Sequence, residues 1–356
     1  MLENRSLEGP MSSAMTPSEP SHQVHATERG NPAFEQLAEP FRREIKFHCY
    51  RMLGSLDEAE DLAQETYLRA WRSFGTFDGE NFRAWLYRIA TNACLNALAG
   101  RKNVRRLLPH QLGPATVLMP DGAPATEVAW LEPYPDSNLG EIADAAPNPA
   151  ARYASREAMQ LAFVAVIQQL PARQRAALLL CDVLGWAAAE AATLLGGSTA
   201  SINSALQRAR ETLAKRYPNG RTLVASQPNL SHQKLLGRYL QAWEGHDLDG
   251  FVALLREDAT YTMPPWLQWY AGRAAIRSFF EMAWKTCSGL RLVPTSANGQ
   301  PAFAVYARTG AEQPLAAHSI QVLALEDDVI STLTLFVPPT GPRLFRAFGL
   351  PLEAAG

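Results

Sequence analysis

At 356 residues the chain is long for one domain, so two or three are expected. Hydrophobic residues make up 47% and charged residues 19%, an ordinary soluble balance with apolar material for several cores; the absence of any apolar run long enough for a transmembrane helix excludes a helical membrane span. A formal net charge of −2 does not exclude nucleic acid, because a local excess decides binding: residues 152–216 hold 8 Lys+Arg against 4 Asp+Glu, residues 104–151 hold 2 against 6, and residues 31–103 hold 10 against 10.

The first 30 residues are rich in Ser, Pro, Glu and Met and lack a basic n-region and an apolar h-region. They read as a disordered tail, not a signal peptide. Phe34, Leu37, Phe41, Ile45 and Cys49 have helical spacing, which predicts a helix to Leu53 with a break at Gly54-Ser55. Ser55 with Glu58 reads as a capping box opening a second helix that runs to Trp71. After a turn-rich loop at 75–80, a third helix is expected over Asn81–Leu98. Residues 104–151 are rich in proline and hold no period, so they read as a linker, either disordered or functional. Four further helices are expected at Arg152–Gln169, Ala172–Leu184, Trp186–Leu195 and Ser198–Arg216. From Ser231 an amphipathic helix, a shorter one and a helix over Gly272–Trp284 accompany strand candidates near 259–263, 290–297, 302–308, 316–325 and 329–337. Helices first and a mostly antiparallel sheet afterwards is an α+β plan.

Four cysteines, Cys49, Cys94, Cys181 and Cys287, lie far apart with no C-x-x-C and no nearby His pair. Neither a zinc site nor a disulfide framework is expected, and buried thiols in a reducing cytoplasm account for them. No metal and no cofactor are expected.

The run Asp57-Glu58-Ala59-Glu60-Asp61-Leu62-Ala63-Gln64-Glu65-Thr66 to Trp71, followed by Phe82-Arg83-Ala84-Trp85-Leu86-Tyr87-Arg88-Ile89-Ala90-Thr91-Asn92, closely resembles the sigma-2 region of extracytoplasmic-function (ECF) RNA polymerase sigma factors. The resemblance implies that the helix bearing Asp61, Gln64, Glu65 and Leu68 binds the β′ clamp of core polymerase. It also implies that the minus-ten element is held as a single strand by Phe82, Arg83, Arg88, Asn92, Asn96 and Arg101. The chemistry agrees, since promoter opening needs rings or apolar platforms and amides for exposed base edges. An Asn in mid-helix is intrinsically disfavoured, so Asn92 calls for a role.

Residues 186–210 read as a helix-turn-helix, with Gly196-Gly197 as turn and Ser198 as N-cap. Ile202, Ala205, Leu206 and Ala209 are expected inward, and Thr199, Ser201, Asn203, Ser204, Gln207, Arg208 and Arg210 outward. With Leu170-Pro171-Ala172-Arg173-Gln174-Arg175 before it, this pair resembles the sigma-4 region. That implies contact with the minus-thirty-five element through Thr199, Ser201, Asn203, Ser204, Gln207 and Arg208, and with the β flap of polymerase. Common ECF recognition helices are basic where Asn203 and Ala205 stand, so no promoter sequence is implied.

Trp130-Leu131-Glu132-Pro133-Tyr134-Pro135-Asp136 is similar to the linker motif of the SigG-type subgroup, which appends a SnoaL-like domain. Exposed rings are unusual in a plain tether, and Trp130, Tyr134 and Asp136 are read as a docking motif. Met263-Pro264-Pro265-Trp266 with Trp269-Tyr270-Ala271-Gly272-Arg273 resembles the SnoaL-like strand and loop. The expected architecture is therefore multidomain: a tail 1–30, an all-α sigma-2 bundle 31–103, a linker 104–151, an all-α sigma-4 helix-turn-helix domain 152–217, a connector 218–230, and an α+β SnoaL-like domain (cystatin or ketosteroid-isomerase type) 231–356. The expected function is a cytoplasmic sigma factor, not an enzyme, with core polymerase and promoter DNA as partners. A small-molecule ligand of the C-terminal domain is left open. Competing readings are a one-component regulator, which leaves 34–103 unexplained, and a cyclase or isomerase, which needs an acid–base pair where only His318, with Asp258 near a strand start, offers itself.

Overall fold

The computed structural model describes residues 31–100, 105–139, 156–217, 230–286, 289–308, 310 and 313–354. The expected tail, most of the connector and part of the linker lie outside them. Helix α1 (Pro32–Ala38) is capped by Asn31, whose Oδ1 accepts from the N–H of Ala33 at 3.2 Å. A 3₁₀ turn over Glu39–Phe41 then separates α1 from α2 (Arg42–Leu53), so the single helix expected from Phe34 is two. Pro40 is the reason: it donates no N–H and its ring blocks the carbonyl one turn back. Gly54 ends α2 at φ 74°, a conformation other residues adopt at a cost. Helices α3 (Leu56–Ser73) and α4 (Phe82–Gly100) complete a bundle around buried Ile45, Cys49, Ala63, Leu86, Ala90 and Cys94.

The second helical unit comprises α5 (Leu161–Ile167), α6 (Ala172–Leu178) extended by a π turn to Val183, α7 (Ala188–Leu195) and α8 (Thr199–Arg216). Of the helix expected over Arg152–Gln169, residues 152–155 lie outside the described residues, Arg156 and Glu157 are helical, and α5 starts anew at Leu161 after an extended Gln160 (ψ 141°), where the Leu161 N–H donates to Gln300 Oε1 of the last domain at 2.9 Å.

The C-terminal unit begins with α9 (Leu230–Glu244) and α10 (Leu248–Val252). Strand β1 (Leu255–Thr262), the short β2 (Trp269–Ala271), α11 (Arg273–Ala283), β3 (Gly289–Ala297), β4 (Gln300–Arg308), β5 (Ala316–Glu326), β6 (Val329–Phe336) and α12 (Thr340–Ala347) follow. The sheet order is β2-β1-β6-β5-β4-β3, antiparallel except for the β1/β6 pair. Period-two alternation divides its faces. Tyr261, Phe303, Leu323 and Leu333 pack with the rings of α9, α10 and α11. Ala302, Ala304, Ile320, Val322 and Phe336 face the other way and join the core of the sigma-like helices. The sheet is thus mixed, and both faces are covered.

Candidate polymerase, promoter and interdomain surfaces

Helix α3 buries Ala59, Ala63, Thr66, Tyr67 and Ala70 and so turns Asp61, Gln64 and Leu68 outward. Glu65 is half-buried beside them and pairs with Arg69 at 2.6 Å. Helix α4 buries Leu86, Tyr87, Ala90, Ala93 and Cys94. Its Arg88, Asn92 and Asn96, four residues apart, form an exposed polar stripe. Phe82 belongs instead to an aromatic cluster with Phe77 at 5.4 Å and Trp85 at 5.5 Å, half-buried at the head of α4. The Arg83 guanidinium is held by Glu44 and lies 5.1 Å over the Tyr87 ring, so it braces α4 against α2. Arg101 lies outside the described residues.

In α8, Ile202, Ala205, Leu206 and Ala209 are buried, and Thr199, Ser201, Asn203, Ser204, Gln207, Arg208 and Arg210 are exposed. Three of these are already engaged: Gln207 donates its amide to Glu211 at 3.1 Å. Ser201 donates its hydroxyl to the Ser198 carbonyl at 2.7 Å within the cap, and Arg210 is clamped by Asp182 at 2.6 Å. Arg173 steadies the turn by donating to the Leu195 carbonyl at 2.6 Å.

The described part of the linker, residues 105–139, is folded onto all three units. Trp130 and Tyr134 are buried, not exposed, and the Trp130 indole N–H donates to the Ala125 carbonyl at 2.8 Å. Tyr134 sits against Phe47 and Tyr50 of α2, with ring centroids at 5.0 and 4.8 Å. Glu132, buried between them, replaces the capping box expected at Ser55. Its Oε2 accepts from the Leu56 N–H at 2.7 Å and the Ser55 hydroxyl at 3.0 Å, while Glu58 turns to Arg106 at 2.7 Å. A carboxylate aimed at the first turn of α3 satisfies orphan N–H groups and the helix dipole more fully than a hydroxyl. Arg343 of α12 holds the other oxygen of Glu132.

The β3–β4 turn, Asn298-Gly299, closes this junction. Both residues have positive φ, 57° and 67°, the two-residue hairpin geometry that Asn-Gly favours. Asn298 is fully buried: Oδ1 accepts from the Tyr134 N–H at 2.8 Å, and Nδ2 donates to the Met159 carbonyl at 2.8 Å and to the Tyr50 hydroxyl at 3.2 Å. The Gly299 N–H donates to Asp136 at 2.8 Å. One side chain thereby joins the first bundle, the linker, the second bundle and the sheet. The two bundles also meet directly. Buried Arg175, its pKa pushed down to about 10 by burial and still charged near neutrality, donates to the carbonyls of Met52, Ile167 and Gln168.

On the enclosed face of the sheet no acid–base pair assembles among the described residues. Asp258 is exposed and tied to Arg256, and burial lowers the pKa of His318 on β5.

The family models that match are Sigma-70 region 2 over residues 37–104, Sigma-70 region 4 over 160–213 and the SnoaL-like domain over 236–333. The ECF RNA polymerase sigma factor SigG of Mycobacterium tuberculosis is 43% identical over 323 residues, 89% of this chain and 84% of that relative. The chain is an ECF sigma factor. The SigE sigma factor of Mycolicibacterium smegmatis is 29% identical over 51% of this chain and 60% of its own length. The crystal structure of the Mycobacterium tuberculosis sigma factor SigJ shares the fold, with a TM-score of 0.58 over 89% of this chain and 99% of that one, at 22% identity. This sigma factor therefore carries sigma-2, sigma-4 and SnoaL-like units in that order, and its partners are core RNA polymerase and promoter DNA. Among the described residues no helix is long and apolar enough to cross a membrane.

Glu132 and Arg175 stand within recognised motifs, yet sequence reasoning gave no role to them or to Asn298 and Arg343. Only Asn298 carried a readable signal, an Asn-Gly pair between two strands. The other three act across the junction, where no local pattern reports them.

Proposed function

We propose that this sigma factor docks on the β′ clamp through Asp61, Gln64, Glu65 and Leu68. Single-stranded minus-ten DNA then lies along Arg88, Asn92 and Asn96, and α8 enters the minus-thirty-five duplex. The C-terminal domain holds the two sigma domains together and so sets how readily they engage polymerase. It acts in the cytoplasm beside polymerase as a brace, not an enzyme; the exposed Asp258 and the ring-filled interior support that role.

The observation that carries this reading is the junction at Asn298. Two promoter elements about 25 base pairs apart are separated by about 85 Å at 3.4 Å per step. In the structure the two sigma domains instead touch, through Arg175 to Met52 and Tyr87 to Trp186 at 6.1 Å between rings. They must separate before both elements are held, and every bond that Asn298, Glu132 and Tyr134 make across the linker opposes that step.

The test is in vitro transcription with limiting core polymerase, comparing the full chain, a chain ending at residue 227, the Trp130→Ala/Tyr134→Ala double variant and Asn298→Gly. Asn298→Gly keeps the positive-φ turn and removes only the amide bridge. Weakening the junction should raise promoter-dependent transcript at limiting core. Equal activity of all four over a range of core concentrations removes the bracing role.

A further inference from the structure

The enclosed face of the SnoaL-like sheet leaves little room, because rings occupy it: Tyr239 stacks on Phe303 at 5.2 Å, and Phe251 meets Phe280 at 4.9 Å. A cleft of about 240 Å³ opens on the opposite face, at the seam between the sheet, the linker and α5. Its floor departs from the rest of that face. Where the sheet meets the sigma domains it is apolar, through Ala302, Ala304, Ile320 and Phe336. Under the cleft, the parallel β1/β6 pair sets Thr260 beside Thr332 and Thr262 beside Thr334. Thr262 and Thr334 hydrogen-bond to each other at 3.2 Å, while Thr260 and Thr332, half-buried, line the cleft. The walls are Leu108, His110, Leu161 and Trp269. Apart from the imidazole, no lining side chain can carry a charge.

We propose that this seam is a binding site for a small uncharged molecule with one hydroxyl or carbonyl edge and an apolar, ring-like body. The volume is that of about eight waters at ~30 Å³ each, so the ligand is fragment-sized. The threonine hydroxyls meet its polar edge and the Trp269 and Leu161 walls cover its body. An anion or cation is disfavoured, because the cleft provides no counter-charge for a desolvated ion. Its three walls come from different units, so occupancy favours the closed arrangement over the separated one.

The experiment uses the full chain with labelled Thr and Leu methyl groups and 4-ethylphenol as probe, with 4-ethylbenzoate as the charged counterpart. The phenol should give saturable shifts at Thr260, Thr332 and Leu161 at low-millimolar concentration, and the benzoate should bind about tenfold more weakly or not at all. Ala162→Trp, which fills the cleft from α5, should abolish the shifts, and Thr332→Val should weaken binding several-fold in an unperturbed fold. No saturable shift would mean that the cleft holds water only and would overturn the proposal. Shifts unaltered by both variants, or equal binding of the benzoate, would overturn it as well. Polymerase takes no part in the readout, so failure here leaves the sigma-factor reading standing.

Discussion

Asn92 sits in mid-helix with Thr91 and Ala93 buried on either side of it, yet its own amide is exposed. Helix formation does not explain it, whereas the proposed recognition of an unstacked base edge would. Asn92→Ala should leave core binding intact and slow open-complex formation by about the 1–3 kcal/mol that a good amide–base pair contributes. Permanganate reactivity at the start site reads the rate, and an unchanged rate assigns Asn92 to solvent. Tyr134 poses the opposite problem. Its ring is fully buried among Phe47 and Tyr50, but its hydroxyl finds no partner among the described residues. Tyr134→Phe should therefore match or exceed the parent in urea midpoint, because an unpaired buried hydroxyl costs about 1–3 kcal/mol. Tyr134→Ala should lose about 3–5 kcal/mol to the cavity. A Phe variant as unstable as the Ala variant would mean that the hydroxyl, not the ring, holds the linker.

Two elements carry predictions of their own. The outward face of α8 keeps Arg208 exposed, whereas Arg210 is already neutralised by Asp182. Arg208→Ala should weaken promoter binding at all sequences alike and lower the salt slope by about one unit. An unchanged slope would place Arg208 in solvent, and Arg210→Ala serves as the control that leaves the slope unaltered. Helix α3, the proposed polymerase-docking element, starts on a carboxylate supplied from 76 residues away by Glu132. Glu132→Gln keeps an acceptor for the Leu56 N–H but gives up the charge that meets Arg343 and the helix dipole. Glu132→Ala leaves both unmet and should cost about 2 kcal/mol more than the Gln variant. Hydrogen exchange confined to the first turn of α3 would report it, and equal protection in both variants would remove Glu132 as the cap.

At the scale of the molecule, a buried imidazole and a half-buried carboxyl set opposing pH dependences. Burial, with Arg51 and Arg83 near, lowers the His48 pKa from 6.5 to about 3. The unfolded chain takes up a proton in that interval that the native chain refuses, so stability falls as pH drops from 6.5 toward about 3. Asp136 works the other way. Burial outweighs the Gly299 N–H and raises its pKa from 3.8 to about 6, so its contribution is present below 3.8 and is lost as pH rises through about 6. Asp136→Asn should therefore uncover the His48 slope between pH 3.8 and 6, of at most about 1.4 kcal/mol per pH unit, in urea midpoints. A flat profile for that variant would count against a neutral imidazole at His48.

Much of this architecture is local and so was legible in the chain. The stripe that sorts Ile202, Ala205, Leu206 and Ala209 inward depends only on helical period, and the structure places each of them there. The same holds for the exposed stripe of α4 and for the strands from residue 290 onward, whose alternation and turn residues are written within a few positions. Apart from the break that Pro40 makes between α1 and α2, where the sequence reading missed, the deciding partner lay far along the chain. Ser55 and Glu58 have the spacing of a capping box, but Glu132 outcompetes the hydroxyl because folding of the linker brings a full charge to the same N–H group. Trp130 and Tyr134 read as exposed rings because a proline-rich segment has no period to reveal its burial. The expected helix is broken before α5, where Gln300, 139 residues on, takes the Leu161 N–H. The sequence alone determined most of the helices and strands, though not α12 or the break between α1 and α2, and with them the faces they turn outward and the family resemblance. Tertiary structure alone decided that sigma-2, sigma-4 and the sheet close around one asparagine, because burial of Asn298 is rewarded only when two distant backbone groups and the Tyr50 hydroxyl arrive together.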